Sequence, residues 1–220
     1  MKVVIVGAGI AGLVAARDLV AADAEVVLLD KGRSPGGRLA TRRIGVATLD
    51  HGAQFFTVRT PAFQRRVDDW VERGLVAVWA HGFGAGDGHP RYVATAGMNS
   101  LAKDLATGLD VRCSKMVFGI HGPDASSSPS SATTGWDVVI DDATVHHGDA
   151  VVVTTPLPQA FALLADSGIK FDGIEFGLEY DRTIALLATL DASPDIASPG
   201  GVQDPTSDVA FLADNAAKGI

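Results

Sequence analysis

The sequence predicts an α/β fold, a parallel-sheet domain interrupted by a smaller α+β lobe, and three observations carry that expectation. Val3, Val4, Ile5 and Val6 form an apolar run of β-branched residues that breaks at once into GAGIAG, from Gly7 to Gly12. A buried strand therefore opens into a glycine loop. Leu13 to Ala22 follow, rich in Ala, Leu and Val, with Arg17 and Asp18 their only charges, and Val26 to Leu29 make a second apolar run ending at Asp30. Between residues 58 and 95 the pattern changes to one amphipathic helix and short strands, the composition of an inserted lobe.

The glycine spacing has a physical reading. Gly7 permits a tight turn, Gly9 lets backbone approach a pyrophosphate, and Gly12 lets the helix pack close to the strand. Ile10 and Ala11 sit at the helix N-terminus, whose free N–H groups and dipole favour negative charge. Asp30 lies eighteen residues beyond Gly12, near the distance at which a carboxylate accepts ribose hydroxyls. Glycines at this spacing alone also describe an ordinary turn; the strand before, the helix after and the acid at the second strand end make dinucleotide binding the better reading. The next residues, Lys31 to Arg38 (KGRSPGGR), are too rich in Gly and Pro for the helix that a nicotinamide-binding unit would place there. Gly36 and Gly37 bring backbone close to a ligand and Arg38 can fork onto a phosphate, the alternative being a basic surface turn.

GAGIAG, Asp30 and PGGRLATRR from Pro35 to Arg43 resemble the FAD-binding signature shared by amine oxidases, carotenoid desaturases and renalases. DHGAQFFT, from Asp50 to Thr57, and AGMNSLAKDLA, from Ala96 to Ala106, resemble the renalase-like bacterial flavoproteins in particular. The resemblance implies a Rossmann-like FAD-binding domain at 1–57 and 96–165, with an inserted α+β substrate lobe at 58–95 and 166–220. It implies FAD as cofactor, a dihydronicotinamide dinucleotide or an amine as hydride donor, and O2 as electron acceptor. It places the backbone of Ala53 and Gln54 near the flavin ring and the backbone near Val117 against the adenine. The cofactor-binding residues expected are thus Gly7, Gly9, Ile10, Ala11, Gly12, Asp30, Gly37, Arg38, Ala53, Gln54 and Val117. Chains of this type continue into a further strand pair and a glycine-acid segment, so this chain is expected to be truncated at its C-terminus. The alternative function is therefore a catalytically incomplete nucleotide-binding fragment.

Composition sets bounds on the partners. The 220 residues are 47% hydrophobic with a mean hydropathy of +0.22, ample for a real core. A net charge of −8 with no long basic run argues against nucleic acid and anionic membranes. The single cysteine, Cys113, forms no internal disulfide and suits a reducing cytosol, where a buried small hydrophobe is its simplest role. Fourteen uncharged residues from Val3 to Ala16 are too few to cross a bilayer, which takes about 20.

The remaining elements follow in order. Ile44 to Leu49 reads as one extended segment leading to Asp50, with His51 beside Gly52 as a structural hydrogen-bonding residue. Thr60 and Pro61 open a helix carrying Phe63, Val67, Trp70 and Val71 inward and Arg65, Asp69 and Arg73 outward, before Gly74 ends it. Leu75 to Ala80 and Arg91 to Thr95 read as strands around a loop at 82–88; His81, His89 and Trp79 show no metal-ligand spacing. Asn99 or Ser100 is the expected cap of a helix through Leu101 and Leu105, and Val111 to Ile120 the next strand. Residues 124–134, DASSSPSSATT, read as a polar hairpin tip. Trp136 to Ile140 pair with Thr144 to His147, Ala150 to Thr154 form a buried strand, and Gln159 to Ala165 a helix. Ile184 to Leu190 and then Phe211 with Leu212 are the last expected strands.

Overall fold

The structure, a computed structural model, describes residues 1–83, 88–123, 135–165, 167, 169, 180–204 and 206–220. The polar run at 124–134 and most of the loop at 82–88 lie outside the described residues. The chain divides into two compact units, Met1–Gly37 with Ala102–Thr183 and Arg38–Leu101 with Ile184–Ile220. These units cut the chain at Gly37/Arg38, Leu101/Ala102 and Thr183/Ile184.

The first unit begins with β1 (Lys2–Val6), α1 (Ile10–Ala21) and β2 (Glu25–Leu29). Val3–Val6 and Val26–Leu29 are all buried, because a parallel strand with both faces covered needs apolar residues at every position. The hairpin β3 (Thr41–Ile44) with β4 (Ala47–Asp50), α2 (Pro61–Glu72), and the antiparallel pair β5 (Val76–Ala80) and β6 (Arg91–Ala94) belong to the second unit. After α3 (Asn99–Ala106), β7 (Asp110–Arg112) pairs in parallel with β2. Then come β8 (Val117–His121), β9 (Trp136–Ile140) and β10 (Val145–Gly148), an antiparallel sheet in the order β10-β9-β8. β11 (Ala150–Val153) returns beside β1 in register, Val3 opposite Ala150 and Val6 opposite Val153, giving the parallel order β11-β1-β2-β7. Val4, Val6, Val27 and Leu29 of the parallel sheet then share one core with Val117, Ile120, Val138 and Ile140 of the antiparallel one. α4 (Leu157–Leu164) follows, and the second unit ends with β12 (Gly201–Gln203) paired to β13 (Phe211–Ala213).

Four expectations are corrected. Ile44 to Leu49 is a hairpin, since Gly45 takes the left-handed φ of 59° that a tight turn between Ile44 and Ala47 needs. Val111 to Ile120 is two strands in two sheets. Ser114 at φ 55° breaks the run, and its N–H and that of Lys115 donate to the Gly32 and Asp30 carbonyls. Ile184 to Leu190 forms no strand, having no ladder partner among the described residues. Neither Asn99 nor Ser100 caps α3, for Asn99 Oδ1 and Ser100 Oγ are buried without a partner among the described residues. The cap comes from far away instead: Asp50 accepts the Met98 N–H at 2.8 Å and Thr41 Oγ1 accepts the Asn99 N–H at 3.0 Å. The expected cap of α2 does form, with Thr60 Oγ1 accepting the Phe63 N–H and Pro61 in the first turn.

Candidate dinucleotide site

In the first unit the end of β1 turns through Gly7, whose φ of 105° is closed to residues with a side chain. A Cβ on Gly12 would stand 2.0 Å from the Gly7 carbonyl oxygen, and one on Gly7 would stand 2.7 Å from Thr154 Oγ1. The helix and strand are therefore as close as backbone allows. Gly9 differs: a Cβ there would meet nothing within 4 Å. Open space above Gly9 is what a ligand approaching the backbone requires.

α1 begins there with Gly9 as its cap residue, no side-chain cap bond and no acid in its first turn. The N–H groups at Ile10 and Ala11 thus face a mouth that no carboxylate of the helix itself neutralises.

Asp30 closes that mouth from the end of β2. Its Oδ2 accepts the Ala8 N–H at 2.6 Å and its Oδ1 accepts the Gly32 N–H at 2.7 Å. Each oxygen keeps a further lone pair for hydroxyl donors. The PGG turn joins the same place: Gly36 donates to the Ala8 carbonyl at 2.9 Å, Gly36 bridges Gly9, and a Cβ on Gly37 would lie 3.4 Å from the Gly9 Cα. Gly7, Gly9, Ile10, Ala11, Gly12, Asp30 and Gly37 are thereby brought together, and they fit the sugar and diphosphate of a dinucleotide.

Thr154, which the sequence did not single out as a functional residue, completes the turn from β11. Its hydroxyl lies 3.1 Å from both the Val6 and Gly7 carbonyls and donates between them. The next residue, Thr155, has its Oγ1 buried with no partner among the described residues. Cys113, just beyond β7, has its thiol pushed up by burial and then by the charge of Asp30. Val117 is buried in the core shared by the two sheets.

The second unit holds Arg38, Ala53 and Gln54. The Ala53 N–H donates to the Arg38 carbonyl at 2.9 Å, and the His51 and Gly52 N–H groups donate to the Ala40 carbonyl. A Cβ on Gly52 would stand 2.1 Å from the Arg38 oxygen, so only glycine lets this segment lie against 38–40. Gln54 folds its amide back, Nε2 donating to the Asp50 carbonyl at 2.8 Å and the Gly52 carbonyl at 3.3 Å. Asp50 is fully buried and paired to Lys218 at 2.9 Å.

Residues 5–72 match the family model described as an NAD(P)-binding Rossmann-like domain. Over 58 residues the chain is 45% identical to the hydroxyneurosporene desaturase of Rubrivivax gelatinosus, covering 26% of this chain and 11% of that one. Over 180 residues it is 28% identical to the renalase of Mus musculus, covering 75% of this chain and 50% of that one. In fold it is similar to a candidate protoporphyrinogen oxidase of Exiguobacterium sp. 255-15, with a TM-score of 0.54 at 16% identity, covering 75% of this chain and 61% of that one. Over part of its length the chain is thus similar to a desaturase and a renalase, and in fold alone to an oxidase. It spans about half the length of the mouse renalase and a small part of the desaturase. The matched residues 5–72 contain the glycine turn, Asp30 and the PGG turn.

Proposed function

We propose that the chain is an FAD-dependent oxidoreductase of renalase type, acting in the cytosol on a dihydronicotinamide dinucleotide or an amine, with O2 as electron acceptor. One observation carries this reading. The Asp30 carboxylate is fixed on the Ala8 N–H at the mouth of a turn whose central residue, Gly9, faces open space. A carboxylate in that place accepts ribose hydroxyls, while N–H groups at the head of α1 take the diphosphate. Arg38 would add a cation for phosphate, and the backbone at Ala53 and Gln54 would border the ring. Bound FAD would supply the redox chemistry, accepting hydride from substrate and passing electrons to oxygen. The residues of this chain bind, orient and exclude water; no acid or base among them is assigned a proton. A nucleic-acid or membrane partner has no support in the charge of −8.

A second reading, nucleotide binding without turnover, is favoured by the exposure of Ile184 (98%), Leu186 (91%) and Leu190 (63%). Apolar side chains so exposed on one extended segment mark a surface that wants a cover.

The test is reconstitution. The purified chain is incubated with FAD, desalted and examined by visible absorption, then titrated with FAD against NAD. Retained flavin colour and preference for FAD are expected; no retained flavin overturns the FAD reading. Peroxide formation with reduced nicotinamides separates the two readings, since its absence from a flavin-loaded protein leaves only the second.

A further inference from the structure

We infer that Lys218 is a positioning residue that fixes the Asp50–Gln54 segment without itself touching a ligand, an inference resting on the reading that this segment borders the flavin. All of the geometry lies within the second unit. The Lys218 and Asp50 side chains are both 0% exposed. The ammonium stands 2.9 Å from Asp50 Oδ2, 3.4 Å from Gln54 Oε1 and 3.4 Å from Asn215 Oδ1, with the Trp79 ring centroid 5.5 Å away. Its three protons face three acceptors, so none is left for substrate or cofactor.

Two of those acceptors are the two ends of one short segment. Asp50 opens it and Gln54 closes it. Between them the His51, Gly52 and Ala53 N–H groups are already spent on the Ala40 and Arg38 carbonyls. The Gln54 N–H has no partner among the described residues, so it is the donor of this segment left to meet a ligand. Lys218 holds the side chain of the residue that carries it.

Stability alone does not account for such a pair. A buried ion pair is commonly no more stabilising than apolar residues of the same shape, because desolvation offsets the attraction. Burial does push the Lys218 amine below its ordinary range. What the pair supplies is direction: Asp50 Oδ1 is committed to Thr41 Oγ1 and the Met98 N–H, so Oδ2 sets where the ammonium sits. The ammonium in turn sets Gln54. A Leu–Met pair could not transmit that order.

The test uses the full chain. Asp50→Asn with Lys218→Met removes both charges, leaves no lone buried ion and keeps an oxygen for the α3 cap. Amide hydrogen exchange without cofactor is expected to rise across residues 50–54 while α2 and β5–β6 keep the parent's protection. FAD affinity is expected to fall about tenfold or more, with a shifted flavin absorption band, the scale at which small misplacement acts. Unchanged exchange at 50–54 overturns the inference, as does faster exchange with the parent's FAD affinity and spectrum. A parent that binds no FAD overturns the cofactor reading and the inference with it, and is told apart because the parent itself fails. If the double variant does not fold, Lys218→Gln, which keeps a donor for Asp50, carries the same readouts: exchange at 50–54 and affinity must then lie between parent and a binding loss, and equality with the parent in both overturns the inference.

Discussion

At the scale of single residues, two glycines three residues apart, Gly9 and Gly12, answer to different constraints. A methyl on Gly12 would enter the Gly7 carbonyl at 2.0 Å. Gly12→Ala should therefore destabilise the protein by about 1–3 kcal/mol, read by denaturant unfolding, because neither strand nor helix can retreat without breaking sheet pairing. Gly9 has φ −73°, and a Cβ there would meet nothing within 4 Å. Gly9→Ala should cost no more than about 1 kcal/mol of stability, as a poorer helix cap, and weaken dinucleotide binding at least tenfold, about 1.4 kcal/mol, by titration. If Gly9→Ala binds as the parent does, no ligand approaches that backbone. Cys113 offers a third readout. Burial first, and then the Asp30 charge, disfavours its thiolate, so labelling by a thiol reagent should be slow at neutral pH and its rate should climb only above the usual thiol range. Asp30→Asn removes the second cause, and the inflection of the rate profile should move to lower pH.

Elements show where sequence reading succeeds and where it stops. β1, the glycine turn, α1 and β2 were legible because their signals are local: β-branched runs, a glycine spacing, an acid at a strand end. The cap of α3 was not. Its acceptors, Asp50 and Thr41, stand 48 and 58 residues before the N–H groups they satisfy, and Asn99 offered a plausible local cap that the structure leaves unused. The same distance hides Lys218, 168 residues from Asp50. The break between β7 and β8 was missed because nothing in the sequence announces that Ser114 turns to pair with Gly32. At the end of α3 a further long-range contact can be tested. Arg17 on α1 donates Nε to the Leu105 carbonyl at 2.8 Å and Nη2 to the Asp104 and Thr107 carbonyls at 3.0 and 3.1 Å. These are carbonyls at a helix end, which otherwise need water or a cap. Arg17→Met keeps the apolar stem and loses the fork; a loss of about 1–3 kcal/mol in unfolding free energy is expected. A neutral result would mean water replaces the guanidinium at no cost.

For the whole molecule, the first unit is closed by chain that arrives late. β11 pairs with β1 across roughly 150 residues of sequence, and Thr154 at its end clamps the Val6 and Gly7 carbonyls. Without it β1 becomes an edge strand, the Val3–Val6 ladder loses one side, and the glycine turn loses the Thr154 hydroxyl that donates to its carbonyls. A chain ending at Gly148 retains every residue of the glycine turn, Asp30 and the PGG loop, and yet should not bind. A chain ending at Thr183 retains β11 and Thr154 as well. ADP is the apt probe, since it carries the sugar and diphosphate that the first unit is built for. Isothermal titration should find ADP binding in the full chain and in residues 1–183, and none in residues 1–148. Equal ADP affinity in all three would mean that the turn holds its shape by local glycine geometry alone, and that the return of β11 has no part in making the site.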